Sequence, residues 1–549
     1  MKKAVFLIIA TSLVIGLVLA GCTGGPAEPY SPVRTLKTPG KLTIGVTGAM
    51  GFDQGLHALY GGQLAASSIG SFSVGNQTLT VTIVPVDTNE VLFPGGAGGV
   101  AAVVTAIESC DFMVGGFRAE AVLAYREPIM DANMTFIDCG AATEALCHSV
   151  VTNYARYKWF FKGAPRNEYL SAKSQSKVLT LVMAMATAVK PAFVPRIAIL
   201  AEDAAWSRAP REAALANFQA AGYSVGQGLW LVDPNAVAIG GTLAAINAAS
   251  PNIIYTMFSG PVGMVYGNSV GAFMPDVLSV GTNVEAQRQE FGANAAFANG
   301  MIFMDGWAPG VNQTDSTAAF LDAFAAAHNG AWPIYTSATY DAVYSLVEAL
   351  QSEGYVDGST VKYVPEDIVV YLETATRQGV AAKKTGVYPI WDGVTTGTYY
   401  EYPGKSTAGL PALNESQVLA LYPWLASAKF SDSVTVSNWT YTADNWTMQP
   451  HTTHDLVYGS EWACGIASQW QWNGTALNKV CICPQVLLPL PSDMTTWLAV
   501  LGSGAINATT LYGLQSSGLW DQYGWWNFEY PGTGSLNLTD WILWVLSLP

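Results

Sequence analysis

Charge is scarce in this 549-residue chain. Only 12% of its residues are charged, and 25 Lys and Arg face 40 Asp and Glu. The formal net charge of −15 comes with no basic cluster. Nucleic acid is therefore not an expected partner, nor is electrostatic attraction to anionic lipid. Histidine is scarcer still, at five residues. None pairs with a cysteine at metal-ligand spacing, so neither a metal nor a cofactor is expected. There is no His-Glu-X-X-His, and Gly404-Lys405-Ser406 lacks the earlier glycine of a phosphate loop. After residue 22 no apolar run approaches the roughly 20 residues of a membrane span. The apolar stretch 541–548 is far too short. No long-period repeat stands out. What the chain has is apolar residues, which make up half of it. That supports a large core and argues against disorder.

The first 22 residues carry a specific signal. Lys2 and Lys3 precede an apolar run over 4–18, then Leu19-Ala20-Gly21-Cys22. A charged start, a short apolar stretch and small residues at a cut site make a secretory signal. The cysteine after Leu-Ala-Gly resembles the lipobox of prokaryotic lipoproteins, in which that cysteine becomes the lipidated first residue. The resemblance implies lipidation at Cys22 and a protein held at the outer face of the cell membrane. Residues 1–22 are then a signal peptide and 23–40 a tether. An uncleaved anchor helix is the alternative, and the run is short for one. In such a compartment Cys110, Cys139, Cys147, Cys464, Cys481 and Cys483 are disulfide candidates, with connectivity left open. Nine Asn-X-Ser/Thr sequons, six of them after residue 400, suggest a glycosylated surface.

Strand and helix patterns alternate through the first half. Leu42-Thr-Ile-Gly-Val-Thr47, Leu79 to Pro85, Asp111 to Gly116 and Thr135 to Asp138 read as strands. Helical stretches lie between them. The rhythm repeats with strands at 196–200, 224–231, 252–256 and 277–280. Two such blocks predict an α/β fold of two doubly wound parallel-sheet lobes facing a cleft. Residues 316–352 read as two helices broken near Asn329-Gly330 and Pro333. Beyond about 355, Pro, Gly, Tyr, Trp and Thr become frequent. Trp520, Trp525 and Trp526 crowd a C-terminal aromatic-rich extension.

Catalytic patterns are weak. Gly267-Asn-Ser-Val-Gly271 has the letters of a nucleophile elbow around Ser269, but it falls where a crossover helix is expected. His451 and His454 sit in Pro-His-Thr-Thr-His-Asp, an extended or turn segment rather than a metal-binding helix. Glu202-Asp203 follows a strand and reads as a polar loop capping the next helix. Nothing supplies a nucleophile, a base and an orienting partner together, so no enzyme is expected. Binding loops are clearer, because open α/β sheets take ligands at the carboxyl ends of their strands. Phe52 lies in the first such loop. Arg118, Ala119 and Glu120 lie in the third, where backbone N–H groups suit a carboxylate and Arg118 can add a bidentate contact. Trp206 is placed to stack on a ligand. Phe258, Asn283 and Glu285 follow later strands, Glu285 as an ammonium partner.

The order of these pieces is familiar. The lipobox is followed by Ile44-Gly-Val-Thr-Gly48, Val114-Gly-Gly116 and Phe136-Ile-Asp-Cys-Gly-Ala-Ala-Thr143. Then come Arg196-Ile-Ala-Ile-Leu-Ala-Glu-Asp203 and Tyr335-Thr-Ser-Ala-Thr-Tyr-Asp-Ala-Val-Tyr344. Late in the chain stand His454-Asp-Leu-Val-Tyr-Gly459 and Gln469-Trp-Gln471. Over roughly 41–490 this resembles the type 1 periplasmic binding proteins, in particular the branched-chain amino-acid receptors of ABC importers. The resemblance implies a three-segment hinge, with lobe I at 41–162 and 305–380 and lobe II at 167–300 and 385–490. Residues 491–549 are the extension, with no counterpart. It implies a small amino-acid-like ligand (amino acid, amide or short peptide), an ABC permease as partner, and no catalysis. The alternative is a surface sensor or adhesion and carbohydrate-binding module on the same fold. Loop residues matching 115–121 and 141–143, Ala141 and Thr143 included, would take the ligand carboxylate, and Trp206 and Glu285 the aromatic and ammonium roles. The loop departs from the family pattern at Phe117-Arg118-Ala119-Glu120, where small hydroxyl residues are usual. An amide, a larger acid or a peptide fragment then becomes an alternative to a leucine-type ligand.

Overall fold

A computed structural model describes residues 32–92, 97–164, 194–220 and 228–381. It also describes residues 175, 178–179, 183, 223–225, 434–436, 439–441, 454–456, 466–472 and 475–483. Cys22, Cys464, His451 and the extension lie outside the described residues. In chain order the strands of the first block are β1 (Arg34–Thr35), β2 (Lys41–Gly48), β3 (Ser71–Val74), β4 (Gln77–Asp87), β5 (Phe112–Gly115), β6 (Phe136–Asp138) and β7 (Phe160–Lys162). The second block supplies β8 (Ile197–Glu202), β9 (Leu229–Val232), β10 (Ile253–Phe258), β11 (Leu278–Asn283) and β12 (Ile302–Asp305). Later come β13 (Tyr355–Asp357), β14 (Thr360–Tyr363), the pair β15 (Val434–Val436) and β16 (Trp439–Tyr441), and the pair β17 (Ile466–Trp472) and β18 (Leu477–Cys483).

Two sheets carry the architecture. The first runs β3-β4-β2-β5-β6-β7, parallel except for the antiparallel β3–β4 edge. The second runs β18-β17-β12-β11-β10-β8-β9. Its five strands from β9 to β12 are parallel, and β17 and β18 add an antiparallel edge. Both parallel cores therefore have the order second-first-third-fourth-fifth. Their switch points fall between β2 and β5, and between β8 and β10. Strands covered on both faces need unbroken apolar runs. In β8, Ile197, Ile199 and Ala201 join one buried cluster while Ala198 and Leu200 join another. Each such buried Ile or Leu contributes about 1.5–3 kcal/mol. The helices Asp53–Ile69 and Thr339–Glu353 pack together on the first sheet. This is the expected α/β fold of two lobes.

Three local expectations fail. The tether ends earlier than residue 40, because β1 pairs with β14 in a three-stranded sheet with β13, and Leu36 is buried. The strand expected over 224–231 is shorter. Ser224 makes one isolated bridge with Arg196, and Gly228, at φ 108°, breaks the run before β9. Cys110 and Cys139 are buried free thiols rather than disulfide partners. The Cys139 thiol donates to the Ile137 carbonyl at 3.6 Å, and burial pushes its pKa up. Both sit inside the apolar core of the first lobe, where a thiol packs as a small hydrophobe.

Candidate ligand cleft

The loops leaving the two switch points meet. From lobe I, Arg118 follows β5 and starts the helix Ala119–Asp131. From lobe II, Glu202 ends β8 and Ser259 follows β10. Arg118 Nη1 donates to Glu202 Oε1 at 3.0 Å and to Ser259 Oγ at 2.9 Å. The Trp206 indole donates to the same Glu202 oxygen at 2.5 Å, and the Ser259 hydroxyl donates to it as well. The Gly260 N–H donates to Oε2 at 3.0 Å. Arg118 and Glu202 are 1% and 0% exposed, so the lobes are joined by a fully buried ion pair.

Beside this pair lies a small space of about 30 Å³ between the lobes, enough for a water or two as the lobes stand. Its aromatic walls are Phe117 and Tyr335 from lobe I and Trp206 from lobe II. Ala142 and Val284 add apolar surface, and Ser259, Thr282 and Gly140 add polar groups. Small-molecule sites share this make-up, an apolar lining with a few placed polar groups. The Tyr335 hydroxyl donates to the Gly140 carbonyl at 3.1 Å, which ties two of the walls together.

Two more buried carboxylates shape the lobe I loops from beneath. Glu90 Oε2 accepts the N–H groups of Arg118 at 2.8 Å and Phe117 at 3.3 Å, while Oε1 accepts Thr88 Oγ1 at 2.8 Å. Burial pushes the Glu90 carboxyl up to about 7. Asp138 Oδ1 accepts the N–H groups of Ala141 at 3.1 Å and Gly140 at 3.3 Å, and Oδ2 pairs with Lys162 Nζ at 2.5 Å. Burial opposes the Lys162 charge, but Asp138 together with its neighbours Cys147 and Asp455 holds the ammonium above its ordinary pKa. The two loops approach so closely that only glycine fits. Gly116 has φ 98°, and a Cβ on Gly140 would stand 1.9 Å from the Gly116 carbonyl oxygen.

A second contact between the lobes lies at the start of the helix Asp53–Ile69. Gln54 Nε2 donates to Glu285 Oε1 at 2.7 Å. Arg288 Nη1 pairs with Glu285 Oε2 at 2.6 Å, and its Nε lies 2.5 Å from Asp53 Oδ2. This seam is partly open, with Arg288 26% and Asp53 24% exposed. Next to it, His57 Nδ1 accepts the Ile334 N–H at 3.1 Å, and burial, aided by Arg288, lowers its pKa to about 4.

The residues expected at the site divide. Trp206 lines the cleft, 6% exposed. Arg118 reaches it only through Glu202 and Ser259. Ala119 and Ala141 are buried in the loops behind it. Glu120 turns to the Ala205 N–H of the other lobe. Thr143 accepts from the Ala145 N–H at 3.4 Å and caps the helix Glu144–Thr152. Phe52 stands just before the helix Asp53–Ile69, makes no side-chain cap, and packs against the core. Glu285 has both oxygens engaged by the protein itself, so it is not an open ammonium seat. Phe258 and Asn283 are corrected outright. Phe258 packs against Tyr266, ring centroids 5.2 Å apart, on the outer face of the second sheet. Asn283 Nδ2 donates to the Gly263 carbonyl at 3.1 Å within lobe II.

Phe117 falls inside the expected loop 115–121, whereas Tyr335, Ser259 and Thr282 were not singled out as ligand contacts by themselves, nor were the carboxylates of Glu90, Asp138 and Glu202. Their signal was position, since all but Glu90 and Tyr335 sit within two residues of a strand's carboxyl end. Ser269 is helical and donates to the Val265 carbonyl at 2.7 Å, so it is no nucleophile elbow. His454 is buried between the Phe160 carbonyl at 2.6 Å and Glu373 at 2.8 Å, stacked on Phe161. Among the described residues no group of His, Cys, Asp or Glu could hold a metal ion, and no helix is long and apolar enough to cross a membrane.

Comparison with known proteins gives the same architecture. A solute-binding protein of an ABC transporter from Rhodopseudomonas palustris BisB5, in complex with 3,4-dihydroxybenzoic acid, is 12% identical with a TM-score of 0.53. The match covers 80% of this chain and 96% of that one. A second R. palustris solute-binding protein, in complex with benzoate, is 15% identical with a TM-score of 0.51, covering 64% and 89%. A leucine-binding protein from Thermotoga maritima is 16% identical with a TM-score of 0.50, covering 64% and 91%. No curated protein sequence matches the chain. The family model described as periplasmic binding protein matches residues 43–388. With that match spanning more than half of the sequence, and with two switch points facing one cleft, the chain belongs to the type 1 periplasmic binding proteins.

Proposed function

We propose that this protein is an extracytoplasmic receptor, anchored through lipid on Cys22, that captures a small amino-acid-like ligand between its lobes for an ABC permease. One observation carries the reading. The two switch points face each other, and aromatic side chains from both lobes wall the space between them. Family membership supports the extracytoplasmic place and the solute-binding role. Solved relatives in complex with benzoate or 3,4-dihydroxybenzoic acid, and another named for leucine, support a ligand of similar size. In this reading ligand binding shifts an equilibrium between open and closed lobes, and the closed form docks to the permease. No chemical step is involved.

A thermal-shift screen of the protein carrying Cys22→Ser, against amino acids, amides, short peptides and sugars, tests it. Ligand at 100 times its dissociation constant should add about 2.7 kcal/mol of stability. A hit among amino acids or amides that Trp206→Ala abolishes supports the proposal. A response confined to sugars, untouched by Trp206→Ala, moves the function to a surface or carbohydrate-binding module. Fractionation of cells tests the anchor: Cys22→Ser should release the protein from membranes, and continued retention would indicate an uncleaved anchor helix.

A further inference from the structure

The cleft loops hold the donors that an anionic ligand would need, and the protein has already used most of them. Phe117 and Arg118 give their N–H groups to Glu90. Gly140 and Ala141 give theirs to Asp138. Gly260 gives its own to Glu202, which also takes Arg118, Ser259 and Trp206. Glu202 thus sits in a seat made for a carboxylate: one guanidinium, one amide, one hydroxyl and one indole N–H, contributed by both lobes. It is fully buried there. The remaining guanidinium nitrogens of Arg118, Nε and Nη2, are equally buried and have no hydrogen-bond partner among the described residues. A Cβ on Gly260 would stand 2.5 Å from Nη2, so that edge is sealed against lobe II.

A ligand carboxylate entering the cleft would lose its water and find neither an uncompensated cation nor those amides free. Burying a charge without such partners is strongly unfavourable, whereas an amide or alcohol needs only neutral partners. At the border of the space the Gly140 carbonyl, which accepts Tyr335, keeps a second lone pair, and Thr282, which accepts from Gln175, keeps its hydroxyl proton, so both can still serve a neutral group. We propose that Glu202 is the specificity-determining residue of this cleft. By filling the anion seat from within, it makes the site select an uncharged ligand with an apolar or aromatic body, an amide rather than an acid. This narrows the receptor reading above and rests on it, but the seat itself can be tested with no knowledge of the natural ligand.

The probe is formate, followed by benzoate. Full-length wild type, Glu202→Ala and the double variant Arg118→Ala/Glu202→Ala are melted with increasing sodium formate. Truncating Glu202 empties the seat while Arg118, Ser259 and Gly260 remain. Formate should therefore raise the melting temperature of Glu202→Ala alone, with saturation, and leave the other two parallel to each other. Benzoate should bind Glu202→Ala at least tenfold more tightly than it binds the wild type. No formate response in Glu202→Ala, or an equal response in all three proteins, overturns the proposal. So does benzoate binding the wild type as tightly as the variant, or more tightly than benzamide does. If Glu202→Ala does not fold alone, recovery of compact protein on refolding with formate is the same readout. Glu202→Ser, which keeps a hydroxyl for Trp206 and Ser259, is the second variant. A ligand screen that fails while formate still rescues Glu202→Ala would count against the receptor reading and leave the seat intact.

Discussion

The two seams that join the lobes use the same chemistry in different surroundings. One is Arg118 with Glu202, sealed from water. The other is Arg288 with Asp53 and Glu285, about a quarter exposed at the arginine. Both bind an arginine of one lobe to a carboxylate of the other. Burial changes what each pair does. A buried pair is weak evidence for net stability, yet losing one partner strands the other charge. A partly solvated pair gains less and loses less. The buried seam can therefore be selective, because no water stands in for a missing partner. The exposed seam can only guide closure.

The largest expected effect breaks the buried seam from one side. Glu202→Ala should destabilise the protein by about 3–5 kcal/mol, since it leaves Arg118 charged and unpaired. Adding Arg118→Ala should recover part of that loss. The double-mutant cycle, read by urea unfolding, should give a coupling of at least ~1 kcal/mol. Strictly additive losses would mean that the two side chains do not share the seam.

Acidity should separate the seams next, with opposite signs. Beneath the buried seam, Glu90 is raised from 4.5 to about 7 by burial. The folded state then holds more protons than the unfolded state between those values, so this group's stabilising contribution is complete below pH 4.5 and lost as pH rises through 7. Glu90→Gln still accepts the Phe117 and Arg118 N–H groups but cannot ionise. Its stability relative to wild type should be higher at pH 8 than at pH 5, by up to about 3 kcal/mol. Beside the exposed seam, His57 is lowered from 6.5 to about 4. Its neutral ring accepts the Ile334 N–H. That contribution is complete above pH 6.5 and is lost as pH falls through 4. His57→Asn, with an acceptor oxygen and no charge, should flatten the acid side of the stability profile. Unchanged slopes in both variants would show that neither group sets the pH response of its seam.

Much of this was legible in the sequence, and the misses have physical causes. The α/β alternation fixed both sheets in outline, because strands such as Leu42-Thr-Ile-Gly-Val-Thr47 end where apolar residues give way to loop residues. Arg118 and Trp206 were placed at strand ends for the same reason. Their partner was not legible. Arg118 and Glu202 are 84 positions apart, and only closure of the lobes brings them together. Glu202 read as a helix-capping residue, and Glu90 gave no signal at all, since a carboxyl beneath a loop looks like any turn residue. Phe258 was misread although the period of two along β10 held the answer. It shares the Ile254 face, while Tyr255 and Met257 point the other way. Cys110 and Cys139 were judged by compartment alone, whereas an apolar core accepts a thiol as readily as an aliphatic group.

The smallest expected effect tests whether the exposed seam is as loose as its surroundings imply. Arg288→Ala removes the ion pairs to Asp53 and Glu285 but leaves Gln54 on Glu285. Water reaches the site, so the loss should stay near ~1 kcal/mol or below. It should also shrink as salt rises from 0.05 to 0.5 M, figures that are roughly the span over which screening tightens inside the reach of such a pair. The Glu202→Ala loss should barely respond to the same salt, because a buried pair is poorly screened. Urea unfolding of both variants at the two salt concentrations makes the comparison directly. An Arg288→Ala loss as large and as salt-independent as that of Glu202→Ala would mean that the outer seam is dry when the lobes close. Closure would then depend on both pairs together, and ligand selection could not be assigned to the inner one alone.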